Sequence, residues 1–154
     1  MRMEITIRNR QRKVILNPVQ IIQSTARILA HKGISSGFLS LVIVTDSRIQ
    51  SLNKKFLKRN HPTDVLAFDL RDDGLCIRKK GEKRNSRSLE GEIIVSATTA
   101  CRNARLYKNS LQKEVMLYVV HGILHLLGYD DHAPCGIKRM RREEKRMMNF
   151  LGDV

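Results

Sequence analysis

Apolar and polar positions recur along the chain in nine stretches, which predict four strands and five helices. Alternation over residues 3–8 predicts a first strand, and apolar or β-branched runs predict three more, over residues 39–45, 65–70 and 92–96. Helical spacing predicts helices over about 17–32, 46–56, 97–107, 111–127 and 137–150. This mixture predicts an α+β fold in which about five helices cover one small four-stranded sheet.

Two stretches lack any period. Residues 71–89 are charged and contain glycines, so we expect a hairpin-like or mobile insertion there. Residues 134–136, with the sequence Pro-Cys-Gly, predict a break before the last helix. Because no repeat or linker divides the chain, we expect a single domain over residues 1–154.

The fourth predicted helix contains two histidines, His121 and His125, in an otherwise apolar run. Residues four apart lie on one side of a helix, one turn from each other. Two buried imidazoles without partners would each cost about 1–3 kcal/mol, so they need partners. A divalent transition metal satisfies both rings at once, and we expect one zinc ion per chain.

The residues after His125 extend this pattern. Gly128 ends the helix, and the following Tyr-Asp-Asp-His offers further ligands where the chain turns. Metalloproteases of the His-Glu-x-x-His type have a glutamate directly after the first histidine, where this chain has Gly122. A metal site is therefore expected, and peptide hydrolysis is not.

The charge indicates a polyanionic partner. Twenty-nine basic residues against fifteen acidic ones give a net charge of +14, while aromatic residues make up only 5%. Nucleic acid binding should therefore depend on phosphate contacts rather than on stacking. RNA or a ribosome is the expected partner. The basic residues fall in four clusters, within residues 8–13, 54–59, 78–87 and 138–146.

Three cysteines, Cys76, Cys101 and Cys135, show no paired spacing, which favours a reducing compartment. No apolar run is long enough to span a membrane. We expect a cytoplasmic protein that neither enters a membrane nor uses an organic cofactor.

Three blocks of the sequence resemble the YbeY family, zinc-dependent bacterial endoribonucleases that act as rRNA maturation factors. The first is the histidine block around His121, and the second is Pro62-Thr63-Asp64-Val65-Leu66-Ala67-Phe68 within residues 53–68. The third is Gly91-Glu92-Ile93-Ile94-Val95. The resemblance implies a mixed sheet with helices around it, a metal held by three residues, and cleavage of RNA.

The resemblance also implies a ligand set in which His121 and His125 share the metal with a third residue. The family register points to Asp131, whereas a shift of one residue in the loop would bring in His132. Both side chains are acceptable zinc ligands. Glu114 lies seven residues before His121, and two roles are open for it. It is expected either to orient a ligand imidazole or to be an exposed charge that the helix dipole stabilises near the N-terminus.

Two positions depart from the family pattern. The first is Asp131, because the third ligand of the family is a histidine at that position. The second is residue 57. Leu57 stands where the family usually has an arginine, and Lys58 and Arg59 are the neighbouring candidates for RNA contacts. Asp64 is expected mainly to cap a turn.

The sequence favours two functions, and a hydrolase of another class, acting on amide or ester substrates, is a weaker third. The first is a single-strand-specific, metal-dependent endoribonuclease in maturation of the small-subunit rRNA 3' end and in ribosome quality control, acting through zinc-bound water. Its partners would be rRNA or the small ribosomal subunit and ribosome-associated proteins. The alternative is a non-catalytic ribosome assembly factor with a structural zinc.

Overall fold

Four strands form one mixed sheet in the order β1-β2-β4-β3 in a computed structural model, which describes residues 2–71 and 87–154. The strands are β1 (Met3–Asn9), β2 (Ser36–Val44), β3 (Val65–Asp69) and β4 (Ser88–Ser96). β2 is parallel to both β1 and β4, and β3 runs antiparallel to β4. The two central strands contain the most buried residues, as expected for strands with helices packed against them.

Five helices are present among the described residues, which confirms the α+β class and the expected sheet. They are α1 (Pro18–His31), α2 (Asp46–Leu57), α3 (Ala97–Tyr107), α4 (Leu111–Leu126) and α5 (Pro134–Leu151). Asn17, Ser96 and Ser110 cap α1, α3 and α4, each accepting a hydrogen bond from a backbone N–H of the first turn. None of the helices in the described part of the chain is long and apolar enough to cross a membrane.

Helix α4 is the centre of the main core. It contacts β3, β4, α1, α3 and α5, and most of its residues are buried. At Gly122 it lies so close to the sheet that a Cβ atom would stand 2.9 Å from Cγ2 of the fully buried Ile93. A side chain at residue 122 would therefore be forced into the sheet. On the opposite face of the sheet, α2 covers a smaller cluster formed by Val44, Ile49, Leu66 and Ile94.

Two predictions about irregular segments were wrong. The predicted break at residues 134–136 is the first turn of α5, because proline at the first helical position loses no hydrogen bond and already has a helical φ. The fourth strand begins at Ser88 instead of residue 92, since its polar half pairs with β2. Most of the insertion expected over residues 71–89, together with Cys76 and several basic residues of the third cluster, lies outside the described residues.

An ion pair joins the end of α1 to α5. Glu143 is 7% exposed and binds both Lys32 and Arg146. Burial alone would raise the pKa of Glu143, but the hydrogen bond and charge of Lys32, with the charge of Arg146, outweigh it and lower the pKa. A carboxylate with a lowered pKa stabilises the fold at neutral pH, and this contribution is lost as the pH falls through that pKa.

We expect Glu143→Gln to lower the free energy of unfolding by about 1–3 kcal/mol at neutral pH, because it leaves two cations without their carboxylate. Urea unfolding of wild type and variant should show this difference at neutral pH and a smaller one in acid. Glu4→Gln, at an exposed position of β1, is the matched control. A difference that stays constant across this pH range would contradict the assignment.

Candidate metal centre

The two histidines of α4 face each other near the end of the helix where it leaves the core. The Nε2 atoms of His121 and His125 are 2.9 Å apart, and the rings meet edge to face. Their side chains are 22% and 32% exposed, so both rings reach the surface. The predicted helical pair therefore points two nitrogen atoms at one location.

A carboxylate from the following loop completes a triangle with these nitrogens. Oδ2 of Asp131 lies 3.5 Å from Nε2 of His121 and 3.5 Å from Nε2 of His125. The chain can turn back here because Gly128 adopts a φ of 100°, a conformation that disfavours side chains. Asp131 is thus brought beside the helix from which the chain has just emerged.

The loop that contains Asp131 is fixed from several sides. Asp130 Oδ1 accepts a hydrogen bond from the backbone N–H of His132 at 2.9 Å. A Cβ atom at Gly136 would stand 2.6 Å from the carbonyl oxygen of Asp130, so the start of α5 packs directly on the loop. Two cations contact the Tyr129 ring: Lys32 Nζ is 5.2 Å from the ring centroid, and Arg139 Cζ is 5.0 Å from it. This packing positions the backbone of the loop that carries Asp131.

The three donor atoms fit a small divalent cation. They lie within 4.8 Å of one another, and a point about 1.9 Å from all three is close to the zinc–nitrogen distance of about 2.0–2.1 Å. These three side chains would hold the ion, and a catalytic zinc site with three protein ligands leaves its fourth position to water or substrate. Two neutral imidazoles and one carboxylate form a ligand set that zinc accepts.

Glu144 of α5 supports the site from behind. Its carboxylate hydrogen-bonds Nδ1 of His121, which leaves the Nε2 lone pair of that ring directed at the triangle. The backbone of Tyr129 also interacts with the His125 ring and favours its protonated form. Both rings are thus oriented by partners outside the triangle.

The two histidines differ in their protonation. Burial alone would lower the pKa of His121, but the hydrogen bond and charge of Glu144, with the charges of Asp64 and Asp131, raise it. Burial and the neighbouring His121 lower the pKa of His125, and Asp131 offsets this only in part. Two positive rings this close repel each other, which favours a shared metal ion over two protons.

A cavity of about 340 Å³ adjoins the triangle, because His121 and Asp131 belong to its lining. Its lining comes from the residue before β3, from α4, from the loop between α4 and α5, and from α5. The lining residues are Asp64, His121, Asp131, Ile137, Met140, Arg141 and Glu144. Asp64 also caps the turn before β3, since its Oδ1 accepts the backbone N–H of Val65 at 2.9 Å. A substrate could thus approach the triangle through this opening.

Among the predicted site residues, His132 is not grouped with the α4 histidines. Its side chain is 80% exposed and lies 3.7 Å from Oδ1 of Asp130, in a separate group with Asp130 and Asp131. Glu114 is buried near the start of α4, where it accepts a hydrogen bond from Asn109 Nδ2 at 2.8 Å. The roles of both residues stay predictions.

Lys58 and Arg59 are exposed in the loop that follows α2. Lys58 has a left-handed φ of 55° and ends that helix, while Leu57 beside it is 48% exposed. Buried Asn53 holds the loop by donating a hydrogen bond from Nδ2 to the carbonyl oxygen of His61, at 2.9 Å. The loop leads to Asp64 at the cavity, but RNA contacts by Lys58 and Arg59 stay a prediction.

Sequence reasoning missed Glu144 and Arg141, which α5 supplies. A signal exists, because Glu143 and Glu144 are an acidic pair inside a strongly basic helix. Their relation to His121 depends on how α5 packs back across α4, which no local pattern reveals.

Comparison with known proteins agrees with this geometry. Residues 4–152 match the model of a protein family described as endoribonuclease YbeY. The chain belongs to the YbeY family. The resemblance of the histidine, Thr-Asp-Val-Leu and Gly-Glu-Ile blocks to this family is therefore confirmed.

Curated YbeY relatives match over most of their length. A protein of Aquifex aeolicus named endoribonuclease YbeY is 35% identical over 149 residues, covering 96% of this chain and 91% of the relative. One of Carboxydothermus hydrogenoformans with the same name is 34% identical over 132 residues, covering 86% and 84%. The solution structure of TM1509 from Thermotoga maritima matches with a TM-score of 0.60 at 26% identity, covering 97% and 88%.

We expect Asp131→Ala to weaken zinc binding by more than the roughly 10–100-fold typical of losing an outer partner, because it removes one of three donors. His132→Ala should leave zinc affinity nearly unchanged. Competition with a chromophoric zinc chelator measures both affinities. A larger loss for His132→Ala than for Asp131→Ala would make His132 the third ligand.

Glu144→Gln should weaken zinc binding by about tenfold, since the amide still accepts a hydrogen bond from His121 but has no charge. Glu114→Gln is the matched comparison, because Glu114 is the acidic residue of α4 that the sequence suggested for this role. If Glu114→Gln reduces zinc affinity and Glu144→Gln does not, the assignment of the outer partner is wrong.

Proposed function

We propose that this chain, as one domain over residues 1–154, is a zinc-dependent endoribonuclease that cuts single-stranded rRNA precursors. The observation that supports this most directly is the triangle of His121, His125 and Asp131 beside an open cavity. The membership in an endoribonuclease family agrees with it.

Zinc bound at this triangle would activate a water molecule near neutral pH and offset charge on a phosphoryl oxygen. The protein's own residues prepare the site for this role. Glu144 holds His121 in the tautomer that presents Nε2, and the packed loop holds Asp131 opposite. The cavity leaves room for a phosphodiester beside the triangle.

The substrate proposal comes from charge and family together. A net charge of +14 attracts polyanions such as rRNA and the small ribosomal subunit. We propose that the activity takes place in the cytoplasm, in maturation of the small-subunit rRNA 3' end and in ribosome quality control. Ribosome-associated proteins would be partners that present the RNA to the enzyme. Lys58 and Arg59 are proposed as phosphate contacts near the cavity.

The competing proposal is a ribosome assembly factor with a structural zinc. Structural zinc sites usually have four protein ligands and are closed, whereas catalytic sites have three and keep one position open. Three converging donors, partly exposed rings and an adjoining cavity favour the catalytic type. Cleavage of RNA separates the two proposals.

The test is cleavage of a small-subunit rRNA precursor by zinc-loaded wild type and His125→Ala at low salt. We expect wild type to cut and His125→Ala to retain less than about 1% of that rate, because the variant loses a metal ligand. His61→Ala, at an exposed histidine outside the triangle, should behave as wild type.

Equal cleavage by wild type and His125→Ala would place the activity in another site or another protein. Binding of the RNA by both without cleavage by either would contradict the endoribonuclease proposal and favour the assembly factor.

A further inference from the structure

Helix α5 presents one narrow face to the cavity. Ile137, Met140, Arg141 and Glu144 line it, and their spacing of three, four and seven residues places them on one side of the helix. Glu144 is engaged with His121. Arg141 lies one turn before Glu144. Among the described residues, it is the one lysine or arginine that lines the cavity.

Two other arginines of α5 have partners within the protein, whereas Arg141 and Arg142 have none among the described residues. Arg139 lies over the Tyr129 ring, and Arg146 binds Glu143 at 3.1 Å. Within the described ranges 2–71 and 87–154, Arg141 makes no hydrogen bond, ion pair or ring contact, and its side chain is exposed. Its guanidinium is thus available to a ligand in the cavity.

The charges around the cavity require such a cation. The cavity lining has three carboxylates, those of Asp64, Asp131 and Glu144, and one arginine, Arg141. Their formal charges sum to −2, and a bound divalent ion would bring this sum to zero. Without Arg141 the site would stay negative even with its metal, and it would repel a phosphodiester. The planar guanidinium also matches two phosphate oxygens at once, which a lysine ammonium does not.

We propose that Arg141 binds the RNA phosphate next to the metal centre and positions it for cleavage. This inference rests on the proposed function, because it assumes that the cavity receives RNA. This role differs from the one proposed for Lys58 and Arg59, because those residues lie in the loop after α2 and do not line the cavity.

The first experiment measures binding, with zinc-loaded protein and a fluorescein-labelled 2'-O-methyl phosphorothioate oligouridylate that resists cleavage. Arg141→Ala should weaken binding about 10- to 100-fold, the usual effect of losing a charged hydrogen-bonded contact. It should also reduce the slope of log affinity against log salt by about 0.7, equivalent to one phosphate contact on a single strand. Zinc affinity should not change, since Arg141 is not a ligand.

Two further variants separate a specific contact from general charge. Arg142→Ala removes the same charge from the next residue of α5, which does not line the cavity, and should change affinity less than threefold. Arg141→Lys should restore the salt slope but only part of the affinity. Equal losses for Arg141→Ala and Arg142→Ala, or no salt-sensitive binding by wild type, would overturn the inference.

Cleavage kinetics provide the second readout. Arg141→Ala should lower kcat/KM at least tenfold while Arg142→Ala keeps the wild-type value. If wild type cuts RNA and the two variants cut equally well, the inference fails and the proposed function stands. If wild type cuts no RNA, the proposed function fails, and the binding comparison still decides whether Arg141 holds a phosphate.

Discussion

The close contact between Gly122 and Ile93 is the constraint on which the metal centre depends. Only a residue without a side chain lets α4 approach β4 so closely, because a Cβ atom would already touch three atoms of Ile93. The contact fixes the rotation of α4, so Val119 and Ile123 are buried while His121 and His125 reach the surface. It also explains why this helix has no glutamate after its first histidine: that position faces the sheet.

Attraction of RNA and its placement at the metal depend on different charges. The net charge of +14 acts over roughly 10 Å at moderate ionic strength and gathers polyanions without selecting a bond. The cavity is locally acidic, because three carboxylates hold or surround the metal triangle. A nucleic acid that binds the basic surface can therefore enter the cavity only where cations neutralise those carboxylates.

The sequence predicted most of the fold because its signals are local. The apolar periods predicted the helices to within a few residues, and the structure shows that Asn17, Ser96 and Ser110 cap three of them. The histidine pair was visible because both ligands share one helix. The role of Glu144 was not, since it depends on α5 crossing α4, and the start of β4 was missed because its polar residues are fixed by pairing with β2.

The last strand of the chain, β4, lies in the middle of the sheet. Ser88 pairs with Ser36, so the β2–β4 ladder joins residues about fifty positions apart, and such distant pairings slow folding. While the chain is being synthesised, β2 has an unpaired apolar edge until β4 has emerged. Folding of the sheet must therefore follow synthesis of more than half the chain, and α4 can dock only after that step.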